Sequence, residues 1–295
     1  MTAAVAAHLQ RRGLHVAILS RGYGSKGEGV RVVGRGDGPL LGPRVAGDEP
    51  VLLAGLLRGV SVVVCPDRYR AGLHAMERLD PAPDLFLLDD GFSHLKLHRD
   101  LDILLFPASD PFAGGRLLPS GRLREPLASS SRADVALLTG CSGPSRLGDL
   151  LARALSPHGF EGRGFISQTV TAPARSFKPG SDGVEIDPGS SVFVVSAVAR
   201  PENFLQTVHS QGFDVVDHHA FPDHHDYPDK SLEFLKMRFS KSGARWLVTT
   251  GKDRVKLQGR LDLPTAEIPL HAEPDPEFFQ WLDHRVGLLT AGDNP

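Results

Sequence analysis

Short, continuously apolar runs recur along the first half of the chain: HVAIL (15–19), VSVVVC (60–65), DLFLLDD (84–90), LDILLF (101–106) and DVALLT (134–139). Each is bounded by turn-forming residues and is too short for a helix, so each predicts a strand buried on both faces. Between them, helical spacing of apolar positions appears near 48–58 and 67–79. At the N-terminus Ala3, Val5, Ala6 and Leu9 follow the same spacing, and Gly13 can end that helix. No capping side chain precedes it. Strands alternating with helices predict a mostly parallel sheet covered on both faces, with ligands at the carboxyl ends of the strands.

From about residue 141 the composition shifts to Ser, Pro, Gly and Arg, with GFISQTV as one candidate strand. The pattern then resumes with SVFVVSAVA (191–199), a helix from Pro201 to about Gln211, FDVVDHHAF, a helix from Lys230 to about Lys241, and ARWLVTT (244–250). The expected organisation is α/β throughout: an N-terminal lobe over 1–158, a linker over 159–190 and a second, smaller α/β lobe over 191–295.

Charge narrows the partners. With Lys+Arg 33 against Asp+Glu 35, the chain has no global basic field, and no nucleic-acid partner is expected. Cys65 and Cys141 are the only cysteines, which suggests neither a disulfide framework nor a thiolate zinc site and suits a reducing cytosol. The apolar stretch Ser191 to Val198 is far short of the roughly 20 residues of a membrane span. The N-terminus lacks the pattern of a signal peptide.

Four segments carry candidate chemistry. In DLFLLDDGFSHLKLHRDLDILLF (84–106) an apolar strand delivers Asp89 and Asp90 to its carboxyl end, where carboxylates can hold magnesium beside a nucleotide. A plain Asp-Asp-Gly turn is the competing reading for that tripeptide, set against the crowding of His94, His98, Arg99 and Asp100 behind it. SRGYG (20–24) follows a strand and either offers glycines, Arg21 and Tyr23 to an anion or is a flexible loop with a surface arginine. GDEP (47–50) opens a helical run, so Asp48 reads either as a helix N-cap or as a base. DHHAFPDHHDY (217–227) holds four of the thirteen histidines but no helical metal-ligand spacing, and one histidine partnered with a distant carboxylate is the simpler role. Arginines in PDRYR (66–70) and GGRLLPSGRLREP (114–126) suit phosphate recognition or an ordinary solvated surface.

Taken in order, SRGYG, GDEP, PDRYRAG, DDGFSHLKLHRDLDI, GRLLPSGRLREPL, ARPENF, FPDHHDY and TTGKDRVKL resemble the tetraacyldisaccharide 4'-kinase family across nearly the whole chain. The resemblance implies a P-loop NTPase-like lobe and transfer of the γ-phosphate of ATP to the 4'-hydroxyl of a tetraacyldisaccharide 1-phosphate in lipid A synthesis. It implies Asp48 as base acting with His224, and Asp89 and Asp90 serving Mg2+ and nucleotide. Arg21, Tyr23, Arg68, His94, Arg124 and Glu125 would surround phosphates and disaccharide. A bilayer-borne substrate implies a peripheral protein at the cytosolic face of the inner membrane.

Two departures from the family pattern stand out. Ser93 occupies a position where family members carry Gln, so a contact made by that amide is expected to shorten or disappear. No G-x-G-G-x-G-K-T/S-P loop occurs in the 295 residues, and Met1 is expected to fall inside the helix that follows such a loop in a longer natural protein. Two alternatives accompany this reading: an acyl-disaccharide-binding protein that does not hold ATP, and a metal-dependent hydrolase using 217–226 with Asp89 and Asp90.

Overall fold

The computed structural model describes residues 1–178, 180 and 182–291. In chain order the first elements are α1 (Thr2–Arg11), β1 (Val16–Ser20), β2 (Arg31–Arg35), α2 (Pro43–Ala46), α3 (Asp48–Leu56), β3 (Val60–Val64), α4 (Arg68–Arg78), β4 (Leu85–Leu88) and β5 (Ile103–Pro107). There follow β6 (Val135–Thr139), α5 (Arg146–Leu155), β7 (Arg163–Thr171), β8 (Arg175–Ser176), β9 (Ser191–Ser196), α6 (Pro201–Ser210) and β10 (Asp214–Ala220). The last are α7 (Asp229–Ser242), β11 (Trp246–Thr250), α8 (Gly251–Leu257), β12 (Thr265–Ile268), β13 (Leu270–Pro274) and α9 (Pro276–Ala291).

Two compact units form, each discontinuous in sequence. Unit 1 holds Met1–Arg21, Cys65–Val170 and the segment from His271 onward; unit 2 holds Gly22–Val64 and Thr171–Leu270. The structure thus interleaves the contiguous lobes expected at 1–158 and 191–295. Nor is 159–190 a bare linker, because β7 pairs with β6 from Val135↔Arg163 to Thr139↔Ser167, and β8 pairs with β12. The physical reason is that a parallel strand finds its partner only after a crossover, so neighbours in sequence need not be neighbours in a sheet. Residues 179 and 181 of the expected linker and 292–295 of the expected second lobe lie outside the described residues.

In unit 1, β1 and β4 run parallel from Val16↔Leu85 to Leu19↔Leu88, and every residue of β1 is buried. A second sheet has the order β13-β7-β6-β5, with β5, β6 and β7 parallel. Its covered face packs Phe106 and Ala136 against Leu151 and Leu155 of α5. Burying each such leucine is worth about 2 kcal/mol. Helix α4 starts where Asp67 accepts hydrogen bonds from the backbone N–H groups of Tyr69 and Arg70, at 3.0 and 3.2 Å. Helix α1 has no such cap; its buried Val5, Ala6 and Leu9 hold it instead.

In unit 2, β2 and β3 pair antiparallel, and five strands take the order β10-β9-β11-β12-β8, the first four parallel and β8 antiparallel at the edge. Alternation along β9 divides the core. Val192 and Val194 pack with Phe204 and Val208 of α6, whereas Phe193 and Val195 pack with Leu232 and Leu235 of α7 and Leu257 of α8. This sheet carries β10 and the histidine-rich segment after it, and leads through β11 into α8.

Candidate active site

The GDEP segment opens α3 through Gly47, whose φ is +95° and whose absent Cβ would lie 3.0 Å from the Tyr23 carbonyl oxygen. The positive φ strains any residue with a side chain and the close approach crowds a Cβ, so glycine suits this position, where Tyr23 passes beside the helix start. Asp48 is the first residue of α3 and does not cap it; Gly47 holds the cap position. The carboxylate, mostly buried, turns elsewhere. Its Oδ2 lies 3.4 Å from Nδ1 of His224 and 2.7 Å from Nζ of Lys256. The adjoining Glu49 pairs with Lys252, one helical turn before Lys256 on α8.

His224 sits in a left-handed conformation with φ +60°, its backbone N–H donating to Asp223 Oδ1 at 3.0 Å and to the Ala197 carbonyl at 3.3 Å. The residues around it anchor the loop. His225 stacks on Phe221 with ring centroids 4.3 Å apart and meets Ser231 Oγ at 2.8 Å, while Tyr227 is fully buried. Burial, then the Lys256 charge, hold His225 below the ordinary histidine range. His218 and His219 belong to β10; burial, then Arg238, depress His219 in the same way. Of the four histidines, His224 alone meets Asp48, and the Tyr23 ring lies 6.2 Å from its ring. Among the described residues no three His, Cys, Asp or Glu side chains are grouped to hold one metal ion.

In unit 1 the DDG turn follows β4 directly. The Asp89 N–H donates to the Leu19 carbonyl at 3.0 Å, and its carboxylate accepts from Thr2 Oγ1 at 2.9 Å and Ser20 Oγ at 3.3 Å. Asp90 takes φ +51°, and both its oxygens accept from Nη1 of Arg124, at 2.8 and 2.7 Å. A Cβ on Gly91 would lie 2.4 Å from that of Leu88, so the turn needs glycine there. Ser93 does find a partner: its hydroxyl donates to Glu125 Oε1 at 2.5 Å. Arg132 donates to the other Glu125 oxygen at 2.7 Å and lies over the Phe92 ring. Burial pushes the Glu125 carboxyl up, but hydrogen bonds from Ser93, Arg132 and Ser129 outweigh it and leave the group below its usual range.

Arg68 is buried and donates to the Pro66 carbonyl; burial, then the charge of Arg21, lower its proton affinity, with Asp90 and Asp89 opposing. Burial, then Arg68, also depress His94. Arg21 is exposed just past β1. The crowding behind Asp90 resolves into a structural clamp: Arg99 grips both oxygens of Asp102, at 2.6 and 2.9 Å, and donates to the carbonyls of His94 and Leu97. His98 and Asp100 are exposed. Unit 1 therefore gathers Arg21, Arg68, Asp89, Asp90, His94, Arg124 and Glu125, and unit 2 gathers Tyr23, Asp48 and His224. Sequence reasoning missed Lys256, Thr2 and Ser20. TTGKDRVKL signalled the family resemblance, yet nothing local marks Lys256 as the buried one of its two lysines.

A cavity of about 1030 Å³ in unit 1 is lined by β4, β5 and the N-terminal turns of α1, including Met1, Val5 and Leu9. Among the described residues β4 and β5 each end a sheet, and both line this cavity, as do Arg68, Asp90, Arg124 and Glu125. No helix among the described residues is long and apolar enough to cross a membrane.

The family described as tetraacyldisaccharide-1-P 4'-kinase matches residues 1–287. The chain belongs to this family. The tetraacyldisaccharide 4'-kinase of Geobacter sulfurreducens is 40% identical over 265 residues, covering 88% of this chain and 71% of that protein. That of Anaeromyxobacter sp. (strain K) is 38% identical over 293 residues, covering 98% of this chain and 76% of the relative. The crystal structure of the "apo" form of LpxK from Aquifex aeolicus in complex with ATP is similar with a TM-score of 0.71 at 31% identity, covering 96% of this chain and 81% of that one. The α/β, P-loop-kinase-like fold class expected from the sequence is thereby borne out, as is the family resemblance.

Proposed function

We infer that this member of the tetraacyldisaccharide 4'-kinase family transfers the γ-phosphate of ATP to the 4'-hydroxyl of a tetraacyldisaccharide 1-phosphate, a step of lipid A synthesis. The observation that carries the reading is the Asp48–His224 pair, 3.4 Å apart in a chain that matches the family over residues 1–287. Phosphoryl transfer asks little covalent chemistry of a protein beyond positioning, charge stabilisation and a base at the attacking hydroxyl. Asp48 accepts the proton of the 4'-hydroxyl, the new bond forms between that oxygen and the γ-phosphorus, and the bond to ADP breaks. His224 orients the carboxylate and shares the arriving proton.

Asp89 fits a hard cation: its carboxylate is accompanied by the Thr2 and Ser20 hydroxyls, all oxygen donors of the kind magnesium takes in small number beside substrate phosphates. Bound there, Mg2+ would supply charge neutralisation for the phosphoryl oxygens. Asp90, with both oxygens on Arg124, orients that guanidinium toward phosphate. Arg21, Arg68, Tyr23, His94 and Glu125 are assigned to phosphate and disaccharide contacts.

Peripheral attachment to the cytosolic face of the inner membrane suits a bilayer-borne substrate. Tyr69, Leu73 and Met76 support it: at i, i+4 and i+7 on α4 they line the cavity of unit 1 and stand exposed there, next to the exposed Arg70. No nucleic-acid partner is proposed.

The test is transfer of labelled γ-phosphate from ATP to tetraacyldisaccharide 1-phosphate, using these 295 residues and a version with the in-frame codons upstream of Met1 included. Labelled 4'-phosphorylated product supports the reading. Lipid binding with no transfer by either form would instead identify an acyl-disaccharide-binding protein.

A further inference from the structure

Lys256 is a buried cation without a role in the reading above. Its side chain is 5% exposed, whereas Lys252 and Arg254 on the same helix, α8, are partly exposed. Thr250 caps that helix by accepting from the Asp253 N–H at 3.2 Å. An ammonium leaves water at large cost unless charge and hydrogen bonds replace its hydration. Lys256 finds both, and both lead to the same place. Nζ lies 2.7 Å from Asp48 Oδ2 and 3.1 Å from the carbonyl oxygen of His225, the residue directly after His224.

One ammonium therefore ties the carboxylate and the loop that presents the imidazole. The loop needs such a tie, because His224 occupies the left-handed region that side-chain-bearing residues seldom adopt. Lys256 and His224 also share one carboxylate oxygen: both face Oδ2. Among the described residues Oδ1 of Asp48 has no hydrogen-bond partner, so it is the oxygen left for a substrate hydroxyl.

We propose that Lys256 is a positioning residue for the Asp48–His224 pair, holding Asp48 by Oδ2 and the His225 peptide by its carbonyl so that Oδ1 faces the hydroxyl to be phosphorylated. The proposal rests on the reading of Asp48 as the base. Lys256 itself does not touch the reacting atoms.

The test is a double-mutant cycle on the active protein: Lys256→Met, Asp48→Asn and the two combined, each checked for folding by its thermal transition. Lys256→Met is expected to lower kcat roughly 10²-fold, the scale of an impaired general base, with little change in KM for ATP. In the Asp48→Asn background the same substitution is expected to change kcat by less than about threefold, because Lys256 acts through that carboxylate. If Lys256→Met does not fold, Lys256→Gln, which keeps a donor for the His225 carbonyl but removes the charge, takes its place in the cycle. Losses that multiply in the double variant, or a lysine variant with unchanged kcat beside an inactive Asp48→Asn, overturn the proposal alone. Full activity in Asp48→Asn overturns the reading of the base and this proposal together.

Discussion

Asp48 and His224 are 176 residues apart in sequence and 3.4 Å apart in space. Each reaches the meeting point by a different backbone device. Asp48 starts a helix behind a glycine whose positive φ disfavours any side chain, where the helix dipole favours a negative charge. His224 stands in a left-handed turn whose flanking aromatic residues, Phe221, His225 and Tyr227, pack into one cluster. Strain in one loop and a helix start in another thus converge on one carboxylate oxygen.

Acid should weaken the fold through its histidines. Burial is the leading cause that keeps His94, His219 and His225 below the ordinary value of 6.5. The charges of Arg68, Arg238 and Lys256 add to it, and Asp67, Asp217, Asp226 and Asp253 oppose it without prevailing. The unfolded chain therefore takes up protons near the ordinary value that the folded chain refuses, so stability is present above that value and lost as pH falls through it toward the depressed folded values. The urea midpoint is expected to drop between about pH 7.5 and about pH 5.5, and to drop less in a His225→Phe variant, which keeps a ring against Phe221.

Arg99 is expected to matter for stability rather than chemistry. Both its side chain and that of Asp102 are 13% exposed, and the guanidinium also satisfies two backbone carbonyls. Arg99→Ala should lower the unfolding free energy by about 3 kcal/mol, because it strands a mostly buried carboxylate. Arg99→Lys should recover little, since a single ammonium cannot span two carboxylate oxygens and two carbonyls. Denaturant titration reads both changes.

Magnesium dependence should separate the two adjacent aspartates. Asp89 keeps company with the Thr2 and Ser20 hydroxyls, whereas Arg124 already holds both oxygens of Asp90. Asp89→Asn is expected to raise the Mg2+ concentration for half-maximal activity by roughly tenfold or more, and Asp90→Asn by less. A titration in which Asp90→Asn has the larger effect would reverse this assignment.

Much of the fold was legible because apolar strands buried on both faces announce themselves. Val16–Ser20, Val60–Val64 and Ser191–Ser196 fall where unbroken apolar runs predicted strands. Strand β2 escaped notice because RVVGR is flanked by arginines and broken by glycine. The interleaving of the two units was not legible, since nothing local in GFISQTV says that it will pair with residues 135–139. The site shows the same division. GDEP and FPDHH marked Asp48 and His224, but the capping role weighed for Asp48 gave way to Gly47. Lys252 and Lys256 look alike in the sequence, and only tertiary packing leaves one partly exposed on Glu49 and buries the other against Asp48.

The most direct measurement is single-turnover transfer of labelled γ-phosphate from ATP to tetraacyldisaccharide 1-phosphate, with the active protein compared against Asp48→Asn and His224→Ala. The account predicts product phosphorylated at the 4' position, a rate lowered at least roughly 10²-fold by either substitution, and nucleotide binding left intact. Unchanged transfer by Asp48→Asn, in a folded protein that still binds ATP, would contradict it.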